Sequence, residues 1–139
     1  MTDSNASSGF GLHILVAEDN PVNQLVAEKL LKKLGCTCVI ANNGREAIGM
    51  LASGTYDLIL MDVMMPELDG MSATREIRAV KNETTDIPIV AFTANAMKSD
   101  QEACYAAGMN DFISKPVTVD RMREMLAKWT AIIKGEKAG

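Results

Sequence analysis

The chain has 139 residues, 47% of them apolar and 23% charged, with 14 Lys and Arg against 18 Asp and Glu for a formal net charge of −4. That length suits one domain burying roughly two thirds of its surface and leaves no room for a two-domain enzyme. The acidic balance argues against a nucleic-acid-binding surface, which needs a Lys/Arg excess, and no apolar run approaches the roughly 20 residues of a membrane span.

Residues 1–11 are rich in Ser, Gly and Asn. They are expected to be disordered, and they lack the basic and apolar regions of a signal peptide, so a cytoplasmic location is expected. The first apolar run covers 12–17. After it, Asn20 reads as an N-cap and Pro21 as the first helical residue. Val22, Leu25, Val26 and Leu30 form an apolar face, and Gly35 terminates the helix. A second run, 38–41, is followed by a helix over about 44–52. A third run, 58–61, leads to a helix over about 71–80. The fourth run, 87–92, carries Pro88 near its start, where a strand tolerates it; an Ala-rich helix over about 98–107 follows. A short run at 112–113 precedes the last helix, in which Val119, Met122, Met125, Leu126, Trp129, Ile132 and Ile133 recur with a period near 3.6. Residues 135–139 are expected to be a disordered tail, which leaves 12–134 as the folded domain.

The apolar runs are continuous, as in strands covered on both faces. Five β-α units predict an α/β fold, a doubly wound five-stranded parallel sheet with helices on both faces, in the flavodoxin-like order 2-1-3-4-5. The odd count of cysteines (Cys36, Cys38, Cys104), with no C-x-x-C and no paired His, reads as buried or half-buried thiols. His13 reads as a partly buried strand residue, Trp129 as packing the last helix on the sheet, and most of the methionines as core filler, with Met64 and Met65 placed to be exposed.

Open parallel sheets bind ligands at the carboxyl ends of their strands. Glu18 and Asp19 follow the first run, Asp62 the third, Thr93 the fourth and Lys115 the fifth. Three converging carboxylates repel unless neutralised, and their hard oxygens suit Mg²⁺. A metal, a Lys and a Thr together form a site for a phosphoryl group. No His or Cys stands at these strand ends as a nucleophile, and the Asp62 carboxylate is the candidate.

The stretches Val16-Ala17-Glu18-Asp19-Asn20, Met61-Asp62-Val63-Met64-Met65-Pro66 with Asp69-Gly70, Ala91-Phe92-Thr93-Ala94 and Ser114-Lys115-Pro116 resemble the receiver domain of two-component response regulators. The match runs from about Leu12 to Ile133. Asn20-Pro21-Val22-Asn23, Ala41-Asn42-Asn43-Gly44-Arg45-Glu46-Ala47, Thr93-Ala94-Asn95-Ala96 and Gly108-Met109-Asn110-Asp111 are similar to the receivers of hybrid histidine kinases and phosphorelays. The resemblance implies that Asp62 accepts a phosphoryl group from a phosphohistidine on a histidine kinase or a histidine-phosphotransfer protein. It implies Mg²⁺ held directly by Asp19 and Asp62, by Glu18 through water and by the Met64 backbone carbonyl. The Thr93 hydroxyl and the Ala94 backbone N–H are implied to bond phosphoryl oxygens. Lys115 is implied to pair with Asp62 and then with the phosphoryl group, with a cis bond at Lys115–Pro116. Thr93 and Phe112 stand at the switch positions, whose movement repacks the face made by the fourth helix, fifth strand and last helix for a downstream protein target. On this reading the chain is a signalling phosphoacceptor that catalyses only its own phosphotransfer and dephosphorylation.

The sequence departs from the family's commoner pattern at three places. The acidic pair is Glu-Asp rather than Asp-Asp, the switch aromatic is Phe rather than Tyr, and Met64 and Asn95 occupy the two positions that tune hydrolysis. Other readings fit less well. An aspartate-nucleophile phosphatase of the haloacid-dehalogenase type needs a second Asp two residues on, where Met64 stands. A flavodoxin-like FMN carrier needs a Ser/Thr/Gly phosphate loop, where Glu18-Asp19-Asn20-Pro21 would repel phosphate. A docking-only pseudo-receiver lacks one of the key residues, and all are present. Only six residues follow Ile133, so output is expected through protein contacts or phosphorelay rather than an attached DNA-binding domain. A free-standing protein and a receiver cut from a hybrid kinase both fit.

Overall fold

The computed structural model describes residues 9–65, 67–80, 86–94 and 97–138, with side chains to residue 133. Five strands, β1 (His13–Ala17), β2 (Thr37–Ala41), β3 (Leu58–Asp62), β4 (Ile89–Thr93) and β5 (Asp111–Ser114), alternate with five helices, α1 (Pro21–Lys33), α2 (Gly44–Ser53), α3 (Gly70–Ala79), α4 (Lys98–Ala107) and α5 (Val119–Ala138). The strands form one parallel sheet in the order β2-β1-β3-β4-β5, as the sequence predicts.

The continuous apolar runs resolve into a period of two, because successive strand residues face opposite sides of the sheet. Ile14, Val16, Leu58, Leu60, Val90 and Phe92 face one way and pack with Ala27 and Leu31 of α1 and Met122, Leu126 and Trp129 of α5. Leu15, Ala17, Ile59, Met61, Ile89 and Ala91 face the other way, against Ala47 and Leu51 of α2, Ala73 and Ile77 of α3 and Cys104 of α4. Every residue of β3 and β4 is buried. Pro88 falls just before β4, where its carbonyl accepts the Ile59 N–H at 2.9 Å and no ladder donor is lost.

Local chemistry sets the helix starts. The Asn20 side chain accepts the Val22 and Asn23 N–H groups, Asn43 accepts Glu46 N–H, and Asp69 accepts Ser72 N–H. Gly108 closes α4 in the left-handed region, at φ 113°.

Two predicted boundaries move. Residues 9–11, expected within the disordered N-terminal segment, are tied down: Phe10 N–H donates to Leu34 O and Gly11 N–H to Gly35 O, each at 3.0 Å, and the Phe10 ring packs on the α1/α5 core. An aromatic ring next to an apolar edge offsets the entropy that the Ser/Gly composition suggested would win. Residues 1–8 lie outside the described residues. At the other end α5 continues to Ala138, past the predicted end at 134. Lys and Glu after Gly135 are good helix formers, and one Gly costs only about 1 kcal/mol. Among the described residues no helix is long and apolar enough to cross a membrane.

Candidate functional site

The parallel register brings the predicted residues to one edge. Ala17 pairs with Met61, so Glu18 and Asp62 follow side by side on β1 and β3. Asp62 pairs with Phe92, and Thr93 with Ser114, which sets Thr93 and Lys115 next in line. The Lys115 N–H donates to Thr93 O at 2.8 Å, and the Lys115–Pro116 bond is cis.

The turns are built to present these groups. Glu18 N–H donates to Ala41 O, and its carboxylate Oε2 accepts the Asn20 N–H at 2.9 Å. Gln24, one turn into α1, donates its amide to Glu18 O at 2.6 Å and to Asn42 Oδ1 at 2.9 Å, and Asn42 is held in turn by Glu46. Beyond β3, the start of α3 comes back against the strand end. Gly70 N–H donates to Val63 O, and a β-carbon at Gly70 would collide with the Asp62 carbonyl oxygen, so only glycine allows this approach.

Charge is concentrated and dry. Four polar or charged residues are buried among the described ones, and Glu18 (0% exposed), Asp62 (3%) and Thr93 (3%) are three of them. The fourth, Thr74, donates its hydroxyl to Gly70 O. Lys115 Nζ lies 2.6 Å from Glu18 Oε1 and 3.1 Å from Asp62 Oδ2, and 5.0 Å from the centre of the Phe92 ring. The contact to Asp62 is a hydrogen bond; the contact to Glu18 is an ion pair whose angle does not make one. Asp62 Oδ1 accepts the Met64 N–H at 3.2 Å. The Asp62 carboxyl is raised from 3.8 to about 6, chiefly by burial and further by the Glu18 charge, against the opposing Lys115 and Met64 donors.

Glu18, Asp19 and Asp62 each offer an oxygen within 4.8 Å of the others, and Asp19 is exposed. Three carboxylates facing one ammonium leave negative charge unbalanced. An all-oxygen donor set with surplus charge and one solvent-facing member fits a hard divalent cation such as Mg²⁺.

The other predicted residues fall as follows. Met64 is 68% exposed at the rim, and Ala94 is exposed after β4. Phe112 is half-buried on β5 opposite Ala91, packed on the α2–α4 side. Pro66, Asn95 and Ala96 lie outside the described residues. His13 sits at the far end of the sheet, half-buried, bonded to Thr37 and stacked on Tyr56. Cys36 and Cys104 are buried, Cys38 half-buried, all free thiols. Trp129 packs α5 on the sheet and donates its indole N–H to Asp111 Oδ2 at 2.8 Å. Sequence reasoning did not single out Gln24, and it named Asn42 and Phe92 only within family motifs, without a role; the spatial meeting of separate segments marks what they do.

A family model described as the response regulator receiver domain matches residues 14–127. Histidine kinase 5 of Arabidopsis thaliana is 45% identical over 141 residues, covering 84% of this chain and 15% of that protein. The receiver domain of the sensor histidine kinase PA1611 from Pseudomonas aeruginosa, solved with a magnesium ion coordinated in its active site cleft, superposes with a TM-score of 0.80 at 45% identity, over 87% of this chain and 98% of that one. A co-crystal of the Saccharomyces cerevisiae histidine phosphotransfer signaling protein Ypd1 with the receiver domain of its downstream response regulator Ssk1 gives 0.79 at 29% identity, over 88% and 90%. The chain spans less than a fifth of the length of the curated relatives it matches.

Proposed function

This chain belongs to the response regulator receiver domain family, and from that premise we propose that it accepts a phosphoryl group from a phosphohistidine onto Asp62. The partner is a histidine kinase or a histidine-phosphotransfer protein. The observation that carries the reading is the Glu18–Asp19–Asp62 carboxylate group with Lys115 lodged between two of its members.

An Asp62 carboxylate oxygen attacks phosphorus. The new O–P bond forms as the P–N bond of the phosphohistidine breaks, and the imidazole leaves with the bonding pair. Lys115 leaves its acidic partners and pairs with a phosphoryl oxygen. The Thr93 hydroxyl and the Ala94 N–H donate to the other oxygens. Asp19, Asp62 and the Met64 carbonyl are the residues that would hold Mg²⁺, with the Glu18 charge behind them. When bound, the metal neutralises the surplus carboxylate charge and charge on the phosphoryl oxygens. Burial of Asp62 and Thr93 keeps bulk water from the reacting atoms.

The readout is a change of surface. Movement of Thr93 toward the phosphoryl group frees room for Phe112 to turn inward. That repacks α4, β5 and α5 for a downstream protein target or for onward phosphotransfer in a relay. Binding that favours one of two pre-existing arrangements is sufficient for this. The chain works in the cytoplasm, as a phosphoacceptor that catalyses only its own phosphotransfer and dephosphorylation.

The test is intact mass after incubation with acetyl phosphate, with and without Mg²⁺, for the wild type and Asp62→Asn. The expected result is a Mg²⁺-dependent gain of about 80 Da, one phosphoryl group, absent in the variant. A full gain in Asp62→Asn removes the nucleophile assignment. No gain with acetyl phosphate, nor with a phosphorylated histidine-phosphotransfer protein as donor, leaves a docking module in place of a phosphoacceptor.

A further inference from the structure

Lys115 is not held by Asp62 alone. Its ammonium stands closer to Glu18, at 2.6 Å, than to Asp62, at 3.1 Å. Glu18 has no exposed surface and is fixed on every side. Its main-chain carbonyl accepts the Gln24 amide, and carboxylate Oε2 accepts the Asn20 N–H. Among the described residues, the one partner of Oε1 is the Lys115 ammonium, in an ion pair. Both carboxylate oxygens are thus engaged, while the neighbouring Asp19 faces solvent.

We propose that Glu18 is a positioning residue whose carboxylate anchors the Lys115 ammonium over the cleft, so that Lys115 stands between two acids until a phosphoryl group on Asp62 draws it away. Side-chain length is the reason a glutamate does this. An aspartate at 18 is shorter by one carbon–carbon bond, about 1.5 Å. That would stretch the present contact to about 4 Å, the limit of an ion pair. Glu18 contributes charge to a bound cation, and Asp19 and Asp62 contribute the ligand atoms. Departure of Lys115 takes from Glu18 its contact counter-ion, so in the absence of a bound cation Glu18 also weighs against the switched arrangement. This consequence rests on the receiver reading, whereas the anchoring belongs to the unmodified protein and is testable without any phosphoryl donor.

The test is amine acetylation of the metal-free protein in EDTA, quantified lysine by lysine by peptide mass spectrometry. The exposed Lys128 serves as the internal reference. Lys115 should react slowly in the wild type. An ammonium no longer held by a carboxylate is freer to meet the reagent, so Glu18→Asp and Glu18→Gln should each raise the Lys115 rate, relative to Lys128, by at least about threefold. The far-UV circular dichroism should be unchanged. Unchanged Lys115 labelling in both folded variants overturns the proposal. Should both variants unfold, NMR of the wild type with ¹⁵N-labelled lysine decides. A slowly exchanging Lys115 ammonium with an Overhauser contact to the Glu18 side chain supports anchoring. A contact to Asp62 alone overturns it. Failure of the wild type to accept phosphate would refute the phosphoacceptor reading and leave these outcomes standing.

Discussion

Replacing Asp62 by Asn should flatten the pH dependence of stability of the metal-free protein. The Asp62 carboxyl lies at about 6 in the folded chain against 3.8 ordinarily, with burial the leading cause. A raised carboxyl contributes stability that is fully present below the unfolded value and is lost as pH rises through the folded one. For these two values the loss between pH 4.5 and pH 7.5 is about 2 kcal/mol. In a domain of this size that corresponds to about 8 °C in Tm. Asn keeps the shape and removes the titration. Carboxylates remote from the site are common to both proteins and cancel in the comparison. Urea unfolding in EDTA at the two pH values, for wild type and Asp62→Asn, measures the difference directly. The variant should lose about 2 kcal/mol less than the wild type over this range, and at pH 7.5 it should be the more stable of the two. If the two proteins lose stability in parallel, to within about 0.5 kcal/mol, Asp62 does not carry a destabilised buried charge and the electrostatic account of the site is wrong.

Mg²⁺ should stabilise the wild type by about 1.4 kcal/mol at ten times its Kd, reversibly with EDTA, and should leave the Tm of Asp62→Asn almost unmoved; equal shifts in the two proteins would place the cation elsewhere. Gly70→Ala should destabilise by about 2 kcal/mol, because its β-carbon meets the Asp62 carbonyl oxygen. Gly49→Ala in α2, whose β-carbon meets nothing, should stabilise by about 0.5–1 kcal/mol; similar denaturation midpoints for the two variants would refute the close approach. Lys115→Ala should take up phosphate weakly yet show no switch. An NMR spectrum of its phosphorylated form that changes as the wild type's does would remove Lys115 from the switching step.

Much of the fold is legible because burial on both faces of a parallel strand demands an uninterrupted apolar run, and four such runs are unmistakable. The fifth is harder for a physical reason. Asp111 and Ser114 lie on an edge strand, where one side of the ladder is open and polar side chains reach solvent or α5. Their ladder partners, Val90 and Thr93 of β4, are visible only once the sheet is assembled. The ends drift for a related reason. Composition assigned 9–11 to disorder, yet the Phe10 ring packs on the core and two backbone hydrogen bonds tie the segment to Leu34 and Gly35. Contacts of this kind leave no periodic trace.

The site is legible to the depth of the strand-end rule and no further. Glu18, Asp19, Asp62, Thr93 and Lys115 are the residues immediately beyond apolar runs, and parallel pairing with matched register is sufficient to gather them. The relations among them depend on side-chain reach. A glutamate and an aspartate are interchangeable as charges in a sequence. At position 18 they differ by one bond, about 1.5 Å of reach toward Lys115. The supporting amides are invisible for the same reason. Gln24 and Asn42 are 18 residues apart and meet only because α1 and the turn after β2 flank the same strand end. Chain order thus identifies the groups gathered at the strand ends, while burial and reach decide which acids pair with Lys115. That makes residue 18, rather than Asp62, the position at which a one-carbon change should alter the resting state of the lysine and leave the nucleophile in place.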